Sequence, residues 1–520
     1  MNLIHLVKKY NILVGLSIII LFFDLSINTL TYIFDGGHHG SIFLNALNII
    51  EGKVPYKEIF LQYGYLNALI NAFFLIIFDY DIVAIYFSTS FFYFGSIIIL
   101  SLISKDLGNK NFFLLTIIIC VFNHPVPEFP WPNYTAFFFL TLSIYIFKIK
   151  KKKNLFFSGF FLAITCLVRE NFYYFILPSF VFINFCIYFF YKQFNKNFFL
   201  LFGFCLPILF LFLYLYINNI FLIWLDYQKI PFVYLDKYEL NFFDFLKNFI
   251  TFFLYEAPFL IATNPQYFII NLILFFNFYT LIEQLFFKSV KNINIIIIST
   301  LCLSSIVVSI NLELFRLYTS VLIGLPVIFY KLNQLSSNNT KFIYFFIIIF
   351  ISTFSFFYFP KGNVKSFDNI DYKKSYSLNK INFFKSQKWQ EDKWNFVFKI
   401  KKIDEIIYNN CDISYVLNLT PNAFILALSN LPKIQLVPLF NEHLDRKFPI
   451  IFQKNLINQI QDEITKQNIY IYSMENNVQL LNIDLPNYKL FDKLDISDYK
   501  GTQVRIFVPT KCLNKIYEKK

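Results

Sequence analysis

The residues best suited to chemistry lie in one short stretch, YIFDGGHHG, at residues 32–40. An apolar run long enough to cross a bilayer precedes it, so Asp35 lies where a membrane helix ends and a turn begins. A carboxylate in that position can act as a general base or hold a divalent cation. Gly36 and Gly37 allow a tight turn and leave room for a ligand. Asp and Gly are equally suited to an ordinary helix-end turn, so both interpretations stay open on this segment alone.

Histidines and acidic residues of the first two predicted outer loops form a possible metal-binding set. Three of the five histidines lie there, namely His38, His39 and His124. With Asp35 and Glu128 they offer ligands for a divalent cation, and the two carboxylates are the candidate ligands of Mg²⁺ or Mn²⁺. Adjacent histidines point apart on a helix, so His38 and His39 do not easily bind one ion. Hydrogen bonding to a substrate or ordering of the loop is their alternative role.

Two arginines lie at the predicted outer ends of membrane spans. Arg169, in LVRENFYY, ends one span, and Arg316, in NLELFRLYTS, holds a similar place in another. The planar guanidinium forms two parallel hydrogen bonds to a phosphate, so the pair favours an amphiphilic phosphate as ligand. The alternative is pairing with acidic side chains nearby: Glu170, Glu313 or Asp24.

The composition predicts a polytopic membrane protein. The chain has 520 residues, of which 57% are hydrophobic and 15% charged, and a soluble protein of this length needs more polar surface. The net charge of +13 is carried mostly by lysines in short loops between apolar runs. That distribution is typical of membrane topology rather than of a nucleic-acid-binding patch.

The apolar runs and the lysine clusters together predict about eleven transmembrane helices. The runs fall at 11–33, 61–78, 82–103, 111–123, 134–148, 154–171, 172–191, 198–224, 265–287, 292–311, 317–331 and 341–359. All lysine clusters face the cytoplasm if the run 61–78 does not cross, and its polar residues favour an interfacial helix. The first outer loop is then residues 34–81, the N-terminus is cytoplasmic, and the C-terminus is periplasmic.

The C-terminal part, residues 361–520, has a different character from the preceding membrane domain, residues 1–360. Short apolar strands such as ISYVLNL and VRIFVP alternate with amphipathic helical stretches, which predicts a small extracytoplasmic α/β domain. Cys411 and Cys512 lie in this part and can pair if it is extracytoplasmic.

The first outer loop resembles that of a known family. A span, then Asp35, then EGKVPYKEIFLQYGY is similar to the G-x-P-Y-x-D-x-F-x-x-Y-G stretch of GT-C-fold glycosyltransferases, with Glu58 where the family often has Asp. This family uses polyprenyl-phosphate sugars and includes protein O-mannosyltransferases, the aminoarabinose transferase of lipid A and the catalytic subunit of oligosaccharyltransferase. The segment around Glu128, PVPEFPWPNY, departs from the family's patterns.

The resemblance implies the chemistry of a membrane glycosyltransferase. A sugar on a polyprenyl phosphate would be transferred to a lipid, glycan or protein acceptor at the outer face of a bacterial inner membrane, among membrane lipids. Asp35 would be the catalytic carboxylate, with Arg169, Arg316, His38, His39 and Tyr63 binding the substrate or its phosphate and Glu128 as a second acidic residue. A transporter, a lipid-linked glycan flippase or ligase, and a non-catalytic membrane scaffold remain alternatives.

Overall fold

The chain forms a set of long apolar helices, followed by a part that contains a β-sheet. The structure, a computed structural model, describes residues 3–59, 61, 64–127, 129–147, 151–192, 194–228, 247, 251, 266–288, 291–308, 314–334, 350, 352, 353, 373–378, 381–420, 422–435, 458, 460–474, 485, 487–495 and 503–518. Tyr63, Glu128 and most of the predicted span 341–359 lie outside these residues.

Most helices of the membrane part coincide with the apolar runs of the sequence, and an additional helix, α2, lies in the first loop. They are α1 (Leu3–Leu30), α2 (His38–Ile50), α3 (Tyr65–Ile77), α4 (Val83–Leu107), α5 (Asn111–Asn123), α6 (Pro132–Ile146), α7 (Lys152–Val168), α8 (Tyr173–Tyr191), α9 (Phe194–Ile217), α10 (Phe221–Tyr227), α11 (Gln266–Ile282), α12 (Ile293–Ser304), α13 (Leu314–Val321) and α14 (Leu325–Gln334). A 3₁₀ turn, Glu170–Phe172, connects α7 to α8, and another, Leu322–Gly324, connects α13 to α14.

Length and composition identify the segments that can cross a membrane. Within the part of the chain that the structure describes, five apolar helical segments are long enough: Asn11–Leu30, Val83–Leu107, Glu170–Phe190, Asn197–Ile217 and Gln266–Phe287. Shorter apolar helices include α3, α5 and α12. The protein is therefore a helical membrane protein.

Small residues allow α7 and α9 to pack closely. A Cβ atom at Gly159 of α7 would overlap the carbonyl oxygen of Leu200, and one at Gly203 of α9 would overlap that of Phe156. Glycines at these two positions let the helix backbones touch, as is common between membrane helices. This contact joins the first half of α7 to α9.

The C-terminal part contains a mixed sheet. Its strands are β3 (Tyr415–Leu419), β4 (Lys433–Gln435), β5 (Ile469–Met474), β6 (Tyr488–Asp495) and β7 (Gln503–Pro509), in the spatial order β4-β3-β5-β7-β6. β3 is parallel to β4 and β5, whereas β7 is antiparallel to β5 and β6. Its helices are α15 (Glu391–Asn410), α16 (Phe424–Leu428) and α17 (Thr510–Glu518), and a short ladder pairs β1 (Tyr376–Ser377) with β2 (Lys388–Trp389).

A disulfide connects two of these helices. Cys411, directly after α15, is bonded to Cys512 of α17, with Cα atoms 5.0 Å apart. The pairing considered from the sequence is thus present. Disulfides persist in oxidising compartments, which is the environment expected for an extracytoplasmic domain.

The C-terminal part contacts both ends of the first loop, residues 34–81. The backbone N–H of Lys388 donates to the carbonyl oxygen of Thr31, just before the loop, at 2.9 Å. Ser386, two residues earlier, donates to the carboxylate of Asp81 at the far end, from its N–H at 3.0 Å and from its hydroxyl at 2.6 Å. Thr31 and Asp81 therefore lie close to each other.

Candidate functional site

Asp35 lies in the turn between α1 and α2, and its carboxylate is held by the first residue of α2. The N–H of His38 donates to Oδ1 at 2.8 Å, and His38 Nδ1 lies 3.0 Å from Oδ2. The side chains of Asp35 and His38 are 18% and 34% exposed, so both remain within reach of a ligand. A carboxylate is stabilised at a helix N-terminus, where N–H groups lack partners within the helix.

The charge state of Asp35 follows from these contacts. Burial would raise the pKa of the carboxyl group, but the hydrogen bonds from His38 and the charges of His38 and His39 outweigh burial and lower the pKa to about 2. Asp35 is therefore ionised at neutral pH. Because a carboxylate can only accept, His38 Nδ1 carries the proton that the two groups share.

An aromatic wall connects His38 to Arg316. The His38 ring packs against Phe129 and Trp131, with centroids 4.8 and 5.3 Å apart. The guanidinium of Arg316, on α13, lies 5.4 Å from the Trp131 ring centroid. Stacking of this kind restricts the orientation of an arginine side chain. The structure thus brings together three distant parts of the sequence: the Asp35–His38 turn, Trp131 and Arg316.

His39 has a different environment from His38. Its side chain is completely buried, and Nδ1 lies 3.0 Å from the hydroxyl of Tyr86 on α4. That hydroxyl also donates to Gln387 of the C-terminal part at 3.4 Å. The structure therefore places the buried His39 side chain in contact with Tyr86 of α4.

The glycines of the turn serve a purpose different from the one expected from the sequence. Neither Gly36 nor Gly37 has a positive φ, and Gly37 is at φ −74°, so the turn itself does not require glycine. A Cβ at Gly36 would instead overlap the side chain of Asn422 in the C-terminal part. Asn422 fills the space that a side chain at position 36 would occupy, so glycine is needed there for contact with the C-terminal part.

Arg169 lies at the end of α7 beside the motif of the first loop. Its side chain is 5% exposed. A Cβ at Gly64 would overlap the carbonyl oxygens of Leu167 and Val168, so only glycine permits this close approach to the residues before Arg169. Tyr63, directly before Gly64, lies outside the described residues.

The residue after Arg169 anchors the same loop. Glu170 accepts hydrogen bonds from the hydroxyl of Tyr56, from Trp224 Nε1 at 3.3 Å and from Gln228 Nε2 at 3.0 Å. Tyr56 belongs to the motif VPYKE and is completely buried. The motif is thereby fixed to the start of α8 and to α10.

The described residues do not form a metal centre. Within the ranges given above, no group of three or more His, Cys, Asp and Glu side chains converges. Both oxygens of Asp35 already accept from His38, and His124 Nε2 pairs with the hydroxyl of Tyr134 at 2.8 Å. Glu128 lies outside the described residues.

Several contributors to this site were not foreseen from the sequence. Trp131 and Phe129 lie in a loop predicted on the outer side, but the abundance of aromatic residues in the chain hides their role. Tyr86, Gln387 and Asn422 carry no local signal at all. They come from a membrane helix and from the C-terminal part, and tertiary contacts alone identify them.

The fold and the site together define a class of protein. A helical membrane part with a charged site at the helix ends, covered by a C-terminal part, is the arrangement of the GT-C fold, and the chain has this fold. The resemblance stated from the first loop is thereby confirmed at the level of the fold.

Two solved structures are similar to this chain. One is ArnT from Cupriavidus metallidurans bound to undecaprenyl phosphate, with 9% identity and a TM-score of 0.50, over 95% of this chain and 97% of that one. The other is the oligosaccharyltransferase of Archaeoglobus fulgidus in complex with Zn and sulfate, with 10% identity and a TM-score of 0.46, over 96% of this chain and 76% of that one. The second score is too low to support an argument. No family model and no curated protein sequence matches the chain.

Proposed function

We propose that this protein is a membrane glycosyltransferase that moves a sugar from a polyprenyl-phosphate donor to an acceptor hydroxyl. The observation that carries the proposal is the grouping of Asp35, His38 and Arg316 at the helix ends of a GT-C fold. An anionic carboxylate and a cationic guanidinium near the same aromatic rings suit a reaction between a hydroxyl and a phosphate-linked sugar. The acceptor is a lipid, a glycan or a protein.

Arg316 would bind the phosphate of the donor. As the bond between the anomeric carbon and the phosphate oxygen breaks, the leaving phosphate gains negative charge, and a fixed guanidinium stabilises that charge. Arg169 is a second candidate for this role. A phosphate leaves readily as an anion, so no strong general acid is required.

Asp35 would act on the acceptor. Its carboxylate accepts a hydrogen bond from the attacking hydroxyl and takes the proton as the new bond to the anomeric carbon forms. With a pKa of about 2 it is a weak base toward the free hydroxyl. The hydroxyl becomes strongly acidic as its oxygen bonds to carbon, so proton transfer occurs late. His38 holds the carboxylate in place, and a role of His39 or Tyr63 in substrate binding is part of the same proposal.

The mechanism contains no step through a cation, because the described residues do not fit a metal centre. Binding of Mg²⁺ or Mn²⁺ by Asp35 and Glu128 stays a prediction. A titration of transfer activity against EDTA and added Mg²⁺ or Mn²⁺ checks it.

The contacts of the C-terminal part support the membrane topology that we propose. Thr31 and Asp81 contact residues 388 and 386 of one segment, so both lie on the same side of the membrane. The 13-residue helix α3 spans about 20 Å at 1.5 Å per residue, less than the hydrocarbon core of about 30 Å. We therefore infer that α3 is interfacial. The domain boundary at 360/361, the eleven crossings, the cytoplasmic N-terminus, the periplasmic C-terminal domain and the bacterial inner membrane belong to the same proposal.

Cysteine labelling tests this topology. Single cysteines at four exposed positions, in a background that keeps only the Cys411–Cys512 pair, are treated with an impermeant maleimide on intact cells. Asp79→Cys and Asn409→Cys should react, whereas Asn109→Cys and Lys151→Cys should react only after lysis. Reaction of Lys151→Cys in intact cells would contradict the arrangement.

Release of undecaprenyl phosphate tests the activity. The purified protein in lipid nanodiscs is incubated with a panel of undecaprenyl-phosphate sugars and a cell-envelope extract as acceptor, and the products are analysed by mass spectrometry. Asp35→Asn should abolish release, and Asp24→Asn, the same change at an exposed position of α1, should leave it intact. Movement of a donor across a vesicle bilayer without release of undecaprenyl phosphate would identify a transporter instead.

A further inference from the structure

The C-terminal part contacts the turn that carries Asp35 on both sides of that residue. The N–H of Ala423 donates to the carbonyl oxygen of Gly36 at 2.8 Å, and Trp389 Nε1 donates to that of Ile33 at 3.0 Å. The ring of Phe34 packs edge-on against Trp389, with centroids 4.9 Å apart. The backbone before and after Asp35 is thus held by another part of the chain.

Hydrogen bonds hold the residues that contact Gly36. Asn418, near the carboxyl end of β3, Thr420 and Asn422 have buried side chains, each of which forms a hydrogen bond within this group or to Phe424. The Thr420 hydroxyl and N–H donate to Asn418 Oδ1 at 2.8 and 3.0 Å, and Asn418 Nδ2 donates to the carbonyl oxygen of Asn422 at 2.8 Å. Asn422 Oδ1 accepts from the N–H of Phe424, the first residue of α16, at 3.1 Å. These bonds fix the Asn422 side chain against Gly36.

The fit between the two segments is specific at Gly36. Because Gly36 has no positive φ, its backbone conformation is open to any residue. The space for a Cβ is nevertheless occupied by the amide of Asn422. Gly40, one turn into α2, also faces this part, but a Cβ there would lie 3.3 Å from Phe424, which requires only a small adjustment. Contact with the C-terminal part therefore explains why residue 36 is a glycine.

A second set of contacts reaches the same site through α4. Because the Tyr86 hydroxyl donates to Gln387, it accepts the hydrogen bond from His39 Nδ1. His39 is adjacent to His38, which holds the Asp35 carboxylate. The C-terminal part thus acts on Asp35 through the backbone of the turn and through the histidine pair.

We propose that Asn422, Ala423 and Trp389 are positioning residues for Asp35, so that the C-terminal part is a component of the active site. The proposal rests on the glycosyltransferase function proposed above. Trp389 holds the turn through its hydrogen bond to Ile33, so loss of that bond should lower kcat while donor affinity, which depends on Arg316, stays unchanged. Asn422→Ala keeps the hydrogen bond from Ala423 to Gly36, so by itself it should change kcat much less than Gly36→Ala. A displacement of a catalytic group by about 1 Å costs roughly 100-fold in rate.

A double-mutant cycle on the full-length protein in nanodiscs tests the proposal. Gly36→Ala should lower kcat by roughly 100-fold, with the dissociation constant for undecaprenyl phosphate unchanged. Asn422→Ala removes the amide atoms that a Cβ at position 36 would meet. The double variant should therefore recover most of the lost kcat. Full activity of Gly36→Ala, or a loss that Asn422→Ala does not restore, would overturn the proposal.

Trp389→Phe provides an independent test if the Gly36→Ala protein does not insert into the membrane. It retains an aromatic ring but removes the hydrogen bond to Ile33, so kcat should fall with donor binding unchanged, and a wild-type kcat contradicts the proposal. Hydrogen exchange of residues 31–40 reports the contact without activity. The exchange rate should rise in Gly36→Ala and in Trp389→Phe, and it should return to the wild-type rate in Gly36→Ala/Asn422→Ala. Unchanged exchange in both single variants would refute the contact. Absence of transfer by the wild-type protein would refute the proposed function alone.

Discussion

Replacing His38 by alanine should change the pH dependence of transfer more than any other single substitution in the site. His38 donates to Asp35 from its ring and from its backbone and lies beside it as a potential cation. The alanine variant keeps the backbone donor and removes the ring. Burial, the largest influence on the Asp35 pKa, then acts with little opposition.

The size of the effect follows from the pKa of Asp35. The hydrogen bonds and charges of the histidines outweigh burial and lower this pKa from 3.8 to about 2. The shift corresponds to about 2.5 kcal/mol in favour of the ionised, folded state. Since the folded-state pKa is depressed, this stabilisation is complete above pH 4 or so and is lost as the pH falls toward 2. In His38→Ala the pKa should rise above the ordinary value, so the stabilisation disappears at neutral pH.

The assay is the pH profile of kcat/KM for release of undecaprenyl phosphate. The acidic limb, which reports ionisation of Asp35, should move upward by about two pH units or more in His38→Ala. His38→Asn restores a neutral donor and should give an intermediate profile. Thermal unfolding of the same proteins should show a destabilisation at pH 7 that shrinks at pH 3. An acidic limb of His38→Ala that coincides with the wild-type limb would refute the assignment of His38 as the group that keeps Asp35 ionised.

Three further predictions follow from described contacts. Arg316→Ala should weaken binding of undecaprenyl phosphate at least tenfold. Arg316→Lys should recover only part of the affinity, because an ammonium cannot form the planar pair of hydrogen bonds. Equal affinity of the wild type and both variants, measured by tryptophan fluorescence, would contradict the role of Arg316 in binding the phosphate. Replacement of Cys411 and Cys512 by serine opens a loop with a sequence separation of 101, so unfolding should become easier by up to about 4.7 kcal/mol in the chain-entropy description; a chemical denaturation curve that matches the wild type would argue against the bond. Tyr56→Phe removes one donor from Glu170 and should cost roughly 1–3 kcal/mol in stability, seen as a lower melting temperature, while kcat stays near the wild-type value.

The helices and one end of the site could be predicted from the sequence, because both are encoded locally. Apolar runs of sufficient length become helices in a bilayer whatever their neighbours, since each must satisfy its own backbone hydrogen bonds. The motif from Asp35 to Tyr65 is contiguous, so a carboxylate with histidines close by was visible in the residue order, although the hydrogen bonds between Asp35 and His38 were not predicted. Most of the helices from α1 to α14 accordingly coincide with predicted apolar runs, whereas α2, within the first loop, was not predicted.

The partners of that motif could not be predicted, because they depend on how distant segments meet. The sequence offered Arg169 and Arg316 as equal candidates, and the fold places Arg316 against the wall that His38 also contacts. Glu170 was considered as a partner for arginine, but it accepts from Tyr56, Trp224 and Gln228. Neutral donors of this kind leave no pattern in the order of residues.

The sequence by itself determined that this protein is a helical membrane protein with a carboxylate at the end of its first span, because hydropathy and local turns act over short distances. The tertiary structure alone decided what surrounds that carboxylate. Gly36 shows the difference most clearly: its φ allows any residue, and its identity is explained by Asn422, nearly four hundred positions later. Contacts at such separation arise from packing of whole segments, which no local pattern encodes.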